Sequence, residues 1–127
     1  MHYLVDTEKS LYEAGVDLRA AILRLGFAIL QVQELGPPGS GWEVECDEDC
    51  TVFTVDNPRY TQQLVNRDMR STLALPWRIS VYTEAGSTRI GFVRPLALFA
   101  ALEVAAGVGP VAREIEDKLR QIVDEAR

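Results

Sequence analysis

Three polar side chains alternate along one predicted strand, in an arrangement suited to binding an anion. Arg78, Ser80 and Tyr82 share a strand face, and the expected hairpin register places Arg89 opposite Tyr82 and Gly91 opposite Ser80. Guanidinium groups bind carboxylate or phosphate in a bidentate manner, and Gly91 would leave space between the two arginines. The five residues predict a site for a small anionic ligand. The alternative is a polar face that is solvated or covered by a second subunit.

Two cysteines form the second candidate site. Cys46 and Cys50 flank the acidic run 47–49, and together they could bind a metal ion, form a disulfide or stay inert. Structural zinc usually takes four cysteines and histidines, and His2 is the only histidine. Persistent disulfides are rare in the cytosol. The sequence therefore favours inert thiols, less reactive because of the neighbouring carboxylates, and keeps metal or redox sensing as an alternative.

Signatures of the common enzyme classes are missing from the chain. No serine stands in a recognisable nucleophile motif, and His2 lies near a chain end. The glycine-rich segment 36–41 contains two prolines and lacks the Gly-Lys-Ser/Thr that follows a phosphate loop. These absences argue against most enzyme classes, leave an enzyme only as an alternative, and predict no cofactor.

Composition restricts the partners. The 127 residues predict one domain spanning 1–127, with 47% hydrophobic and 25% charged residues. A net charge of −6 with scattered arginines argues against nucleic acid. No run of about 20 apolar residues predicts a membrane span, and the first residues do not resemble a signal peptide. These features predict a cytoplasmic protein.

Capping signals and apolar spacing predict the helices that must support the strands. Ser10 and Glu13 form a capping box before a helix that Gly26 should close. Asn57 should cap a second helix, with Pro58 in its first turn.

Two more helices are expected towards the end of the chain. One should run from Pro95 to about Ala106. The other should open at Pro110 and carry Glu116 and Arg120 on its solvated side.

Strands Trp77–Thr83 and Thr88–Val93 should pair across a turn at Glu84–Ser87, with Val81 opposite Ile90 in the core. Further strands are expected near the amino terminus, after Gly26, and on both sides of the acidic run 47–49. The sequence predicts an α+β fold with two layers, in which helices pack on one face of a mainly antiparallel sheet of about five strands.

The order and spacing of these motifs resemble the small bacterial and archaeal domain of unknown function 302. The resemblance rests on Leu25-Gly26-Phe27, Asn57-Pro58, Leu75 to Tyr82, Glu84-x-Gly86-x-Thr88 and Pro95. It implies a fold similar to that of the TATA-box-binding protein, often a dimer, and no agreed catalytic residues. Trp77 departs from the pattern, because relatives often have a cysteine or a small residue there, so chemistry using a thiol at this position is not implied.

Together, the residues and the resemblance predict a binding or interaction module that forms a homodimer. The alternatives are a small-anion-binding protein or enzyme built on Arg78, Tyr82 and Arg89, and a metal or redox sensor built on Cys46 and Cys50.

Overall fold

The structure is a computed structural model that describes residues 1–127. Alternating apolar residues along the strands form a six-stranded sheet. The elements follow in the order β1 (His2–Thr7), α1 (Leu11–Arg24), β2 (Ala28–Gly36), β3 (Gly41–Glu43), β4 (Cys50–Asp56), α2 (Pro58–Arg67), a 3₁₀ helix (Met69–Ala74), β5 (Trp77–Glu84), β6 (Ser87–Val93), α3 (Pro95–Leu102) and α4 (Val108–Ala126). No helix is both long and apolar enough to span a membrane.

The strand order is β1-β6-β5-β4-β2-β3, and every neighbouring pair is antiparallel except β2 and β3. The predicted α+β class and mainly antiparallel sheet are confirmed. The sheet has one strand more than the five expected. The sixth strand lies at the edge of the sheet, where β3 pairs in parallel with β2 and Leu35 stands opposite Trp42. The glycine- and proline-containing segment between β2 and β3 makes the connection.

The predicted hairpin register between β5 and β6 is confirmed. Thr83 pairs with Thr88, and the same register places Val81 opposite Ile90. The two central residues of the turn, Ala85 and Gly86, have φ angles of 50° and 84°. Two consecutive positive φ angles are typical of a type I′ turn, whose twist matches that of the paired strands.

Helices cover one face of the sheet, where the hydrophobic core lies. Ile79, Val81 and Ile90 from the sheet are fully buried. From the helical layer, Ile22 of α1 and Ile115 of α4 are buried equally and belong to the same cluster. Burying one such side chain contributes about 1.5 to 3 kcal/mol to the free energy of folding. The helices therefore pack on the apolar face of the sheet and leave the opposite face uncovered.

The helix boundaries confirm most of the capping predictions. Ser10 Oγ accepts from the Glu13 amide at 3.1 Å and Gly26 has a φ angle of 88°, as the capping box and the helix stop predicted. Asn57 stands at the N-cap position of α2 and Pro58 begins the helix, as predicted, but the Asn57 side chain makes no capping hydrogen bond. The side-chain nitrogen of Asn57, Nδ2, instead lies beside Gly26, 3.7 Å from where a Cβ of that glycine would stand.

Two predictions about the last helices need correction. The α3 helix ends at Leu102 and not near Ala106, because Glu103 adopts a left-handed conformation and the Ala105 amide donates to Asp68 Oδ2 at 2.8 Å. Glu116 is buried, not solvated. Its carboxylate accepts from Arg94 at 3.0 Å and from the Leu96 amide at 3.2 Å, which compensates for its burial.

Candidate binding site on the uncovered sheet face

Strand pairing aligns the side chains of the uncovered face into three rows that cross the sheet. The central row contains Leu4, Gly91, Ser80, Val52 and Gln33. The first flanking row contains His2, Val93, Arg78, Thr54 and Gln31. The second flanking row contains Asp6, Arg89, Tyr82, Cys50, Leu35 and Trp42.

A cavity of about 660 Å³ lies over the central row. Ser80 at the centre of the sheet has a small side chain, and its neighbour Gly91 has none. The larger side chains of Arg78, Tyr82 and Trp42 rise around them and line the cavity. The size of each side chain at its place in the register therefore shapes the cavity.

Four of the five predicted ligand residues line this cavity: Arg78, Ser80, Tyr82 and Gly91. Arg78 is exposed and belongs to none of the ion pairs in the structure. Its guanidinium is therefore free to bind an anionic ligand.

Arg89, the fifth predicted residue, lies outside the cavity lining. Its guanidinium lies 3.1 Å from an Asp6 carboxylate oxygen and 3.0 Å from one of Glu84. A hydrogen bond to Tyr82, followed by the charge of Asp6, raises the pKa of Arg89. The structure thus does not bring the two predicted guanidinium groups to one ligand, because two carboxylates already neutralise Arg89.

The space expected above Gly91 is partly filled by β1. A Cβ on Gly91 would stand 2.7 Å from Leu4 Cδ1 and 2.7 Å from the Tyr3 carbonyl oxygen. Gly91 therefore permits the close approach of β1 to β6, which is a common role of glycine inside a sheet. The open part of the cavity floor lies over Ser80 and Val52.

Several cavity residues were absent from the sequence prediction. Leu4, Val52 and Val93 supply apolar surface, and Trp42 supplies an aromatic ring. The strands of Leu4, Trp42 and Val52 are distant from β5 in sequence, so only the strand order brings these three residues to the site. Val93 lies two residues after Gly91 in β6, so period-two alternation puts both on the same face, and this is the one local signal available.

Cys46 and Cys50 are free thiols beside the site and do not line it. Cys50 pairs with Tyr82 across β4 and β5, whereas Cys46 is exposed. Burial, and secondarily the proximity of Cys46, raises the pKa of the Cys50 thiol. The sequence attributed the low thiol reactivity to neighbouring carboxylates, but for Cys50 the larger cause is burial.

The acidic loop between the cysteines is tied to the β5–β6 hairpin. Glu48 accepts from Thr83 Oγ1 at 3.0 Å and from the Ala85 amide at 2.7 Å. The Asp49 amide donates to Thr83 Oγ1 at 2.9 Å. No three histidine, cysteine or carboxylate side chains gather in a metal-binding arrangement. The Glu48 carboxylate and the Asp49 backbone therefore tie the loop to the turn of the hairpin.

Comparisons with known proteins agree with this architecture. The crystal structure of an uncharacterized conserved DUF302 protein from Bacillus stearothermophilus is similar to this chain, with a TM-score of 0.89 and 25% sequence identity. The match covers 99% of this chain and 98% of that one. No curated protein matches the chain. The predicted similarity to the TATA-box-binding protein fold stays a prediction. The model of the family described as domain of unknown function DUF302 matches residues 3–126, and the chain belongs to this family.

Proposed function

We propose that this protein is a non-catalytic binding module that takes a small ligand on its uncovered sheet face. The observation that carries the proposal is the cavity over Ser80 and Val52, which residues from all six strands of the sheet line. Pockets for small ligands are concave, largely apolar and contain a few polar groups. Leu4, Val52 and Trp42 provide the apolar part here, and Arg78 provides a polar group.

The composition of the cavity favours binding over catalysis. Its lining contains no carboxylate and no cysteine, so neither a pair of acids nor a thiol nucleophile is available there. The buried carboxylate of Glu116 lies in the helical layer, with its oxygens hydrogen-bonded to Arg94 and to a backbone amide.

Filling the cavity tests the proposal. Ser80→Phe adds a ring at the cavity floor, whereas Gln31→Phe adds the same ring on the same sheet face outside the lining. The probe is N-phenyl-1-naphthylamine, a neutral dye whose fluorescence rises in apolar sites. We expect the wild type and Gln31→Phe to bind the dye equally and Ser80→Phe to bind it at least about tenfold more weakly. Equal binding by all three proteins would refute the cavity as the site.

A homodimer formed through the same face is the second candidate. Leu4, Trp42 and Val93 remain 38%, 40% and 47% exposed around the cavity, and a second copy could cover them. Light scattering should then give about twice 14.1 kDa, and Val93→Asp should shift the protein to the monomer. A mass near 14.1 kDa at every concentration would exclude the dimer without affecting the ligand proposal.

The proposal includes a cytoplasmic location. Cys46 and Cys50 are free, which suits a reducing compartment.

A further inference from the structure

Building on the proposed function, we infer that the ligand is a free amphipathic organic anion. Its carboxylate or phosphate group binds Arg78, and its apolar body lies over Val52 towards Trp42. The inference adds a chemical class to the binding site and identifies the residue that selects it.

The first argument concerns charge. The chain contains 19 acidic residues and has a net charge of −6, yet no aspartate or glutamate lines the cavity. The carboxylates of Asp6 and Glu84 are already engaged by Arg89. The cavity is therefore a place on an acidic protein where an anion meets a guanidinium without a competing carboxylate.

The second argument concerns how the other arginines of the chain are used. Arg24, Arg70 and Arg94 each pair with a carboxylate, as does Arg89. Arg113 is exposed on α4 and has no ion pair, but it lies outside the cavity. Arg78 combines an unpaired guanidinium with a position in the cavity wall, so it is the residue that can select an anionic ligand.

The third argument concerns additional hydrogen-bond donors. Ser80 and Tyr82 lie on the same strand face as Arg78, and both line the cavity. Each carries a hydroxyl group that can donate a hydrogen bond to a ligand oxygen.

The fourth argument concerns the rest of the ligand. The lining also has polar side chains from His2 and Gln33, but most of its other residues are apolar, among them Leu4, Val52, Val93 and Trp42. A small inorganic anion would leave this surface in contact with water, whereas a ligand with an aromatic or aliphatic body would cover it. A cavity of about 660 Å³ accommodates such a body together with its charged group.

Two dyes that share one ring system test the inference. The probe 1-anilinonaphthalene-8-sulfonate carries a sulfonate in place of the phosphate or carboxylate, and N-phenyl-1-naphthylamine is the same molecule without it. We expect Arg78→Gln to weaken binding of the sulfonate by about tenfold or more, the loss typical of one charge-assisted hydrogen bond. Binding of the neutral dye should not change. Arg113→Gln removes the same charge elsewhere and should alter neither dye.

The two proposals fail in different ways. If the neutral dye binds and Ser80→Phe blocks it, while Arg78→Gln leaves sulfonate binding unchanged, the anionic ligand is refuted and the binding module stands. If neither dye binds the wild type, both proposals fail. Arg78→Lys keeps the charge and should restore part of the sulfonate affinity, whereas equal losses in Arg78→Lys and Arg78→Gln would refute recognition by charge.

A last measurement separates a free amphiphile from a lipid headgroup in a membrane. Dodecanoate should displace the sulfonate dye from the wild type. It should compete more weakly for the site in Arg78→Gln. The protein should not sediment with phosphatidylglycerol vesicles, because its net charge of −6 opposes an anionic surface. Sedimentation that depends on Arg78 would refute the free ligand in favour of a membrane lipid.

Discussion

Leu4 of the edge strand lies against the backbone of Gly91 in its neighbour, where a Cβ on the glycine would stand 2.7 Å from Leu4 Cδ1. The same Cβ would stand 2.7 Å from the carbonyl oxygen of Tyr3. Backbone atoms cannot move aside as a flexible side chain can, so the absence of a side chain at position 91 allows β1 to join the sheet.

We predict that Gly91→Ala lowers the free energy of unfolding by about 1 to 3 kcal/mol, the usual range for overpacking. Gly15→Ala is the matched control, because its Cβ would meet only Phe53, at 4.0 Å, and it lies inside α1. This control should stabilise the protein by up to about 1 kcal/mol. Urea unfolding monitored by circular dichroism measures both changes, and equal effects of the two substitutions would contradict the close approach of β1.

Glu116 connects the start of α3 to α4 through a buried carboxylate. We predict that Glu116→Ala lowers the free energy of unfolding by about 2 to 3 kcal/mol, since Arg94 loses its partner and the Leu96 amide loses its acceptor. Glu116→Gln keeps an oxygen for that amide and should lose less. Asp117→Ala, at an exposed neighbour, should stay within about 0.5 kcal/mol. Thermal and urea unfolding that fail to separate Glu116→Ala from Asp117→Ala would contradict this role.

Asp68 should make stability depend on pH in the acidic range. Hydrogen bonds from the Arg70 side chain, and then from the Ala105 and Arg70 amides, hold the pKa of Asp68 well below its usual range. A carboxyl whose pKa is lower in the folded state stabilises the protein above its unfolded pKa of about 3.9. That contribution is lost as the pH falls through the lower folded pKa.

We therefore predict that Asp68→Asn lowers Tm at pH 7 and that its difference from the wild type shrinks as the pH falls below about 4. Asp47→Asn, which removes an exposed loop carboxylate without a hydrogen-bond partner, should track the wild type throughout. Calorimetric scans across this pH range provide the measurement. A Tm difference for Asp68→Asn that stays constant down to pH 2 would count against the lowered pKa.

The two cysteines should differ in reactivity in the folded protein. Burial is the larger cause that raises the pKa of the Cys50 thiol, and it remains when Cys46 is replaced, so the reactive thiolate of Cys50 is less populated near neutral pH. Cys46→Ser leaves Cys50 as the one thiol, and Cys50→Ser leaves Cys46. We predict that iodoacetamide modifies Cys46→Ser severalfold more slowly than Cys50→Ser, and that the two rates converge in guanidinium chloride. Mass spectrometry over time measures both. Equal rates in the folded proteins would show that burial does not protect Cys50.

Local chemistry determined the parts of the fold that the sequence predicted correctly. The capping box at Ser10 and Glu13 and the stop at Gly26 depend on residues that are close in the chain. The register of the β5–β6 hairpin follows from its turn and the two-residue period, so Arg78, Ser80 and Tyr82 could be assigned to one face.

Tertiary structure decided which of these residues form a site. Asp6 is far from Arg89 in the chain, and only the pairing of β1 with β6 brings its carboxylate to that guanidinium. Trp42 likewise reaches the cavity through the parallel pairing of β3.

The sequence by itself determined the α+β class, the hairpin and the polar face, because period, caps and turns act over a few residues. Only the tertiary structure decided that Arg78 is free, that Arg89 is neutralised and that Glu116 is buried. Side-chain burial and ion pairing depend on which distant strands and helices become neighbours, and local periodicity does not encode that choice.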